Sequence, residues 1–190
     1  ASLPGPENKV LLCIGRLESQ KGFADAIAAL PEILDVHPSA CLRIIGSGQA
    51  LYELQSLATR LKVAGAVNFL GALSHSAVLD QIRSSSIVLV PSRSIEGFSL
   101  VAAESAAVGR PVVATRVGGL IETVRDGETG VLVEPGSPSA ISKAVTALLS
   151  DDGWIESLGR DGVSHAAKSF SIEDFARRMT RAYIELLEKS

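Results

Sequence analysis

The chain has 190 residues and a formal net charge of −3; 46% of its residues are apolar, yet only 4% are aromatic. A single domain with a sizeable core suits that length, the acidic balance argues against a nucleic-acid-binding face, and no run of about 18 apolar residues exists to cross a bilayer. The apolar mass is therefore Ala, Val, Leu and Ile, which fits parallel strands covered by helices on both faces.

Residues 1–8 (ASLPGPEN) read as a linker or an expression scar and carry no signal-peptide pattern. From there short apolar runs alternate with helical patterns. A strand over 9–14 is followed by a helix over 22–36, a strand over 40–45 by a helix over 50–62, and a strand over 66–70 by a helix over 74–84. The next pairs are a strand over 87–90 with a helix over 100–108, a strand over 111–114 with a short helix over 120–125, and a strand over 131–133 with a helix over 138–149. Two further helices, over 152–169 and 172–188, follow the last strand as an appendage. Strands separated by helices signal βαβ units with right-handed crossovers. The predicted fold is α/β, a doubly wound, Rossmann-like parallel sheet of about six strands forming one domain over 9–190.

Cys13 and Cys41 sit in apolar runs and read as buried, reduced thiols, which fits a cytoplasmic setting. His37, His75 and His165 lie far apart without ligand spacing, so no metal site is indicated.

Ligands of such sheets bind beyond the carboxyl ends of the strands, at the switch point, which directs attention to the loops that follow the strands. After the first strand, Gly15-Arg16-Leu17-Glu18-Ser19-Gln20-Lys21-Gly22 brackets a helix start with two cations. A helix N-terminus attracts anions through its free N–H groups and dipole, and Arg16 and Lys21 would add charge-assisted bonds of about 1.5–3 kcal/mol each. The segment fits a diphosphate site and equally an ordinary solvated turn. It is neither a dinucleotide fingerprint nor a Walker loop, because Gly-x-Gly-x-x-Gly and Gly-Lys-Ser/Thr are absent from it. After the second strand, Gly46-Ser47-Gly48 lets a backbone approach a ligand or simply turns the chain. After the third comes Gly71-Ala72-Leu73-Ser74, with Ser74 a candidate cap for the next helix and His75 an exposed bystander in its first turn.

The fourth strand leads into Pro91-Ser92-Arg93-Ser94-Ile95-Glu96-Gly97-Phe98-Ser99-Leu100 and an apolar helix that contains Glu104. That helix is apolar nearly all round, which predicts burial. A buried carboxylate needs a partner. A sugar diol is one, since a carboxylate accepts from two adjacent hydroxyls; an ion pair with Arg93 or Arg110 is the other. Glu96, with the N–H groups around Gly97, Phe98 and Ser99, has the means to hold a hexose and a phosphate. After the fifth strand Gly118-Gly119 opens a short helix as a potential anion-binding nest, and the turn at 126–130 reads as plain turn chemistry.

Taken in order, Gly-Arg-Leu with Lys-Gly at 15–22, Gly-x-Gly at 46–48, Phe-Leu-Gly at 69–71 and Glu-x7-Glu at 96–104 resemble the C-terminal domain of GT-B-fold, family 4 retaining glycosyltransferases (glycosyl transferases group 1). Gly-Arg-Pro-Val-Val-Ala-Thr at 109–115, Gly-Gly-x-x-Glu at 118–122 and Asp-Gly-x-Thr-Gly at 126–130 extend the resemblance over about 9–188. It implies that Arg16 and Lys21 contact a donor diphosphate and that Glu96 accepts from the transferred sugar. It also implies that Glu104 accepts from the ribose, that N–H groups over 97–100 hold phosphate and sugar, and that Gly15, Gly46, Gly48, Leu70, Gly71 and Gly119 shape the same site. No metal or other cofactor is implied; the donor, a nucleoside-diphosphate sugar, is the substrate. UDP is preferred to GDP because residues 71–76 hold no carboxylate for a guanine edge. Ser99 departs from the family's usual Gly or Pro, and Ser105 from its usual Ala.

The family's acceptor-binding N-terminal domain does not precede Lys9 in this sequence. The resemblance therefore implies a missing partner half, with peripheral contact at the inner face of a membrane through that half, and an exposed apolar stripe over 175–187. A stand-alone nucleotide-binding module and a GT-B sugar-nucleotide epimerase are the alternatives; the Glu-x7-Glu spacing favours family 4 over an epimerase.

Overall fold

The computed structural model describes residues 9–94 and 96–187. The predicted linker at 1–8 and the predicted helix end at 188 lie outside the described residues. Strands β1 (Val10–Ile14), β2 (Cys41–Ile45), β3 (Val67–Gly71), β4 (Ile87–Val90), β5 (Val112–Thr115) and β6 (Gly130–Val133) form one sheet in the order β3-β2-β1-β4-β5-β6. Every neighbouring pair is parallel. This is the doubly wound order, whose direction reverses between β1 and β4. The helices are α1 (Phe23–Val36), α2 (Leu51–Arg60), α3 (His75–Ser84), α4 (Leu100–Ala107), α5 (Leu120–Thr123), α6 (Pro138–Leu149), α7 (Asp152–Ser169) and α8 (Ile172–Leu187).

Alternation along the strands builds a core on each face. Leu11, Cys13, Leu89 and Val113 pack with Ile27 and Leu30 of α1, Leu54 of α2 and Val145 of α6. Leu12, Val88, Val90 and Ala114 pack with Ile82 of α3, Ala102 of α4 and Leu120 of α5. Each fully buried Leu or Ile contributes about 1.5–3 kcal/mol, so central strands with no polar face are what the composition demands. Ser74, Ser99, Ser137 and Asp151 cap α3, α4, α6 and α7 with their side chains.

Differences from the sequence expectations are local. Gly22 is not the first helical residue: it takes a left-handed φ of 69°, and α1 starts after it. Pro111 has no N–H, so β5 begins one residue later, although the Pro111 carbonyl still accepts from Val88. The fifth helix closes at Thr123, whose hydroxyl donates to the Gly119 carbonyl at 2.7 Å. Burial drives the Cys13 thiol far above its ordinary range, whereas Cys41 is only half-buried, so just one of the two expected buried thiols is one.

At the C-terminal end of α7, His165 is 8% exposed and packs edge-on against Phe170 at 4.9 Å. Burial, reinforced by the Arg125 charge, lowers its pKa below the ordinary 6.5, against the opposing pull of the Glu122 backbone and Glu128. Below 6.5 the unfolded chain therefore binds more protons than the folded one, and stability falls as pH drops from 6.5 to the lower folded value. The thermal midpoint is expected to decline from pH 7 to pH 5, and His165→Phe to flatten that slope. An unchanged slope in the variant would assign the acid sensitivity elsewhere. Beyond α7, α8 exposes Phe175 (60%), Met179 (39%) and Tyr183 (61%) at four-residue spacing, the apolar stripe predicted over 175–187.

Candidate functional site

At the β1/β4 switch point the loops after these strands enclose a cleft of about 470 Å3. Gly15, Arg16 and Lys21 line one side, and residues 96–101 the other. The loops interlock through backbone contacts that only glycine permits. A Cβ on Gly22 would meet the Pro91 carbonyl oxygen at 1.8 Å, and one on Gly46 would meet that of Gly15 at 1.8 Å. On Gly48 it would meet the Leu17 oxygen at 2.4 Å, and on Gly119 the Gly97 oxygen at 1.9 Å. Hydrogen bonds run along the same seams: Leu17 N to Ser47 O (2.9 Å), Arg93 N to Gln20 O (2.8 Å) and Gly119 N to Glu96 O (2.6 Å). Gly46, Gly48 and Gly119 are thus positions where loop meets loop too closely for any side chain.

Charge is paired across the cleft. The Lys21 ammonium donates to the Glu96 carboxylate, which also accepts from the Ser92 hydroxyl at 2.8 Å. Arg16 pairs with Glu18 at 2.5 Å, and Glu18 accepts in addition from Gln20 at 2.7 Å. Behind the cleft the buried Asp25 carboxylate accepts two bonds from the Arg93 guanidinium, one of 2.7 Å from Nε. This fork raises the Arg93 pKa; burial opposes it, and the attraction of Asp25 adds to it. The pair ties α1 to the loop that carries Glu96. The first-turn N–H groups of α4, which no helix satisfies internally, lie at the cleft wall with residues 98–101.

Of the residues singled out in the sequence, Gly15, Arg16, Lys21, Glu96, Gly97, Phe98, Ser99 and Leu100 share this cleft. The Ser99 hydroxyl caps α4 by accepting from Ala102 N (3.3 Å). The expectation that the 100–108 helix is buried all round fails at its start: Leu100 is 68% exposed, because α4 begins at the cleft rim. Glu104 is not deeply buried either, with 29% of its side chain exposed, and it lies outside the wall of the cleft. Its Oε1 is 3.7 Å from Nδ1 of His75, whose side chain is 70% exposed, as expected from the sequence. Arg93, one arginine considered for Glu104, is held by Asp25 instead. Leu70 and Gly71 end β3, where Gly71 O accepts from Gly46 N at 2.8 Å.

Sequence reading passed over Ser92 and Asp25. Asp25 was detectable, because it interrupts the apolar face of α1 between buried Phe23 and Ala29, where a carboxylate requires a partner. Ser92 carried no such signal. Among the described residues no cluster of His, Cys, Asp or Glu is placed to hold a metal ion, and no helix is long and apolar enough to cross a membrane.

The model of the family "glycosyl transferases group 1" matches residues 2–170. The chain is 35% identical over 174 residues to the glycogen synthase of Mycobacterium tuberculosis, covering 92% of this chain and 42% of that protein. Sucrose-phosphate synthase from Thermosynechococcus elongatus superposes with a TM-score of 0.87 at 30% identity, covering 98% of this chain and 47% of that one. HepE of Anabaena, solved in complex with UDP, superposes with a TM-score of 0.86 at 23% identity over 94% of this chain and 49% of its own. The chain spans less than half the length of each of these proteins. With its six-stranded sheet in the doubly wound order and its cleft at the switch point, the chain belongs to the glycosyl transferases group 1 family, with the α/β fold of a GT-B C-terminal domain.

Proposed function

We propose that this chain is the donor-binding half of a retaining glycosyltransferase, and that it binds a nucleoside-diphosphate hexose, preferentially a UDP-sugar. The carrying observation is that Lys21 and Glu96, a cation for phosphate and an acceptor for sugar hydroxyls, meet across the switch point beside the N-terminus of α4. In this reading the diphosphate lies between the 15–22 loop and α4. Lys21, Arg16 and the N–H groups of α4 neutralise the charge that grows on the leaving phosphate as the glycosidic bond stretches, in preorganised positions. Glu96 orients the hexose. The Glu104 carboxylate accepts from the ribose diol, with the base placed near Gly46, Gly48, Leu70 and Gly71. No metal enters the reading, since cations and a helix end carry the neutralisation. The acceptor belongs to a partner half. Retention of configuration comes from the family resemblance, and the preference for uracil is supported by the absence of a carboxylate over 71–76 and by HepE, of like fold, being a UDP complex.

Calorimetric titration with UDP, UDP-glucose and GDP-mannose tests this. UDP and UDP-glucose are expected to bind, and GDP-mannose to bind more weakly. Tighter binding of GDP-mannose would reverse the base assignment, and no binding by any of the three would remove the donor site.

A further inference from the structure

Both cations that face the cleft are already engaged by carboxylates of the chain itself, and the two engagements differ. Arg16 is 71% exposed at its side chain, and its partner Glu18 keeps a second bond from Gln20 when Arg16 leaves. Opening an exposed pair of this kind changes little. The Lys21 and Glu96 side chains are only 28% and 12% exposed. If Lys21 turns to a phosphate, Glu96 keeps one neutral donor, the hydroxyl of Ser92, itself 1% exposed. A half-buried carboxylate would then face an incoming diphosphate with its cation gone, an arrangement disfavoured by desolvation and by like charge.

We propose that the Lys21–Glu96 pair is a coupled lock that makes the site favour a sugar-bearing nucleotide over the bare nucleoside diphosphate left after transfer. The proposal rests on the donor-site reading above and adds to it a discrimination between substrate and product. A nucleoside diphosphate alone takes Lys21 and strands Glu96. A nucleotide sugar takes Lys21 with its phosphate and satisfies Glu96 with a hexose hydroxyl, so both halves of the broken pair are re-engaged at once. Once the hexose has moved to an acceptor, the bare diphosphate again leaves Glu96 without a donor in place of Lys21, and re-forming the pair helps to expel it. Ser92 holds the carboxylate in position through the exchange.

The test is titration of the wild-type protein, Glu96→Gln and Ser92→Ala with UDP and with UDP-glucose. Wild type is expected to prefer UDP-glucose by about tenfold, the scale of one charge-assisted hydrogen bond. In Glu96→Gln, Lys21 is released and no carboxylate is stranded. UDP is then expected to bind about tenfold more tightly than to wild type, and the preference for UDP-glucose to collapse towards parity. Ser92→Ala, which removes the last donor to a stranded Glu96, is expected to widen the preference, and it serves as an independent arm should Glu96→Gln lower the unfolding midpoint. UDP binding unchanged or weakened in Glu96→Gln, or a narrowed preference in Ser92→Ala, overturns the lock while leaving the donor site in place. Wild-type protein that binds neither ligand overturns the donor site itself, and the lock with it.

Discussion

Lys21→Ala is expected to lower affinity for UDP by about 1.5–3 kcal/mol, roughly tenfold to more than a hundredfold, the worth of a hydrogen bond to a charged group. The substitution removes a positive charge from the cleft wall and leaves the Glu96 carboxylate there, so attraction for a diphosphate is replaced by repulsion. Glu122→Ala is the matched control, because Glu122 is an exposed residue of α5 outside the cleft lining. Its effect is expected to be negligible. Calorimetry on the two variants decides the matter: equal affinities would remove the diphosphate from Lys21. Glu104→Ala belongs to the same series and is expected to weaken UDP and UDP-glucose alike, since the ribose is common to both.

Gly119→Ala is expected to be strongly damaging through lack of space alone. Its φ of −67° is ordinary, so the fault is purely one of space. The new methyl would sit 1.9 Å from the Gly97 carbonyl oxygen, and backbone on both sides leaves no flexible side chain to give way. The loop carrying Glu96 must move or the short α5 must. Overpacking of this kind costs about 3 kcal/mol at the upper end of its usual range, a drop in thermal midpoint of roughly 6–12 °C for a domain this size. The same shift pulls Glu96 away from Lys21, so UDP affinity should fall with stability. Gly65→Ala, where a Cβ meets nothing within 4 Å, should leave both properties near wild type. If Gly119→Ala matches Gly65→Ala in melting and in titration, the loops do not interlock as described.

Sequence alone determined the elements and the identity of the principal side chains. Short aliphatic runs such as Ile87–Val90, set between helical patterns, read as strands buried on both faces, and Ser74 before a helical pattern marks a cap that forms. Gly15, Arg16 and Lys21 stand out because turn glycine, cations and helix start occur within one short segment, a local pattern that survives without a fold. The tertiary structure decided which loops meet. Only the reversal of strand order at β1 and β4 brings Lys21 to Glu96, 75 positions along the chain, and Asp25 to Arg93, 68 positions along it. It also decided why Gly46 and Gly119 are glycines, what stands beside Glu104, and that Leu100 lies at an exposed rim. The physical reason is range. Periodicity and turn chemistry act between neighbours in sequence, whereas pairing of charges and close approach of backbones depend on sheet order, which results from packing the whole domain.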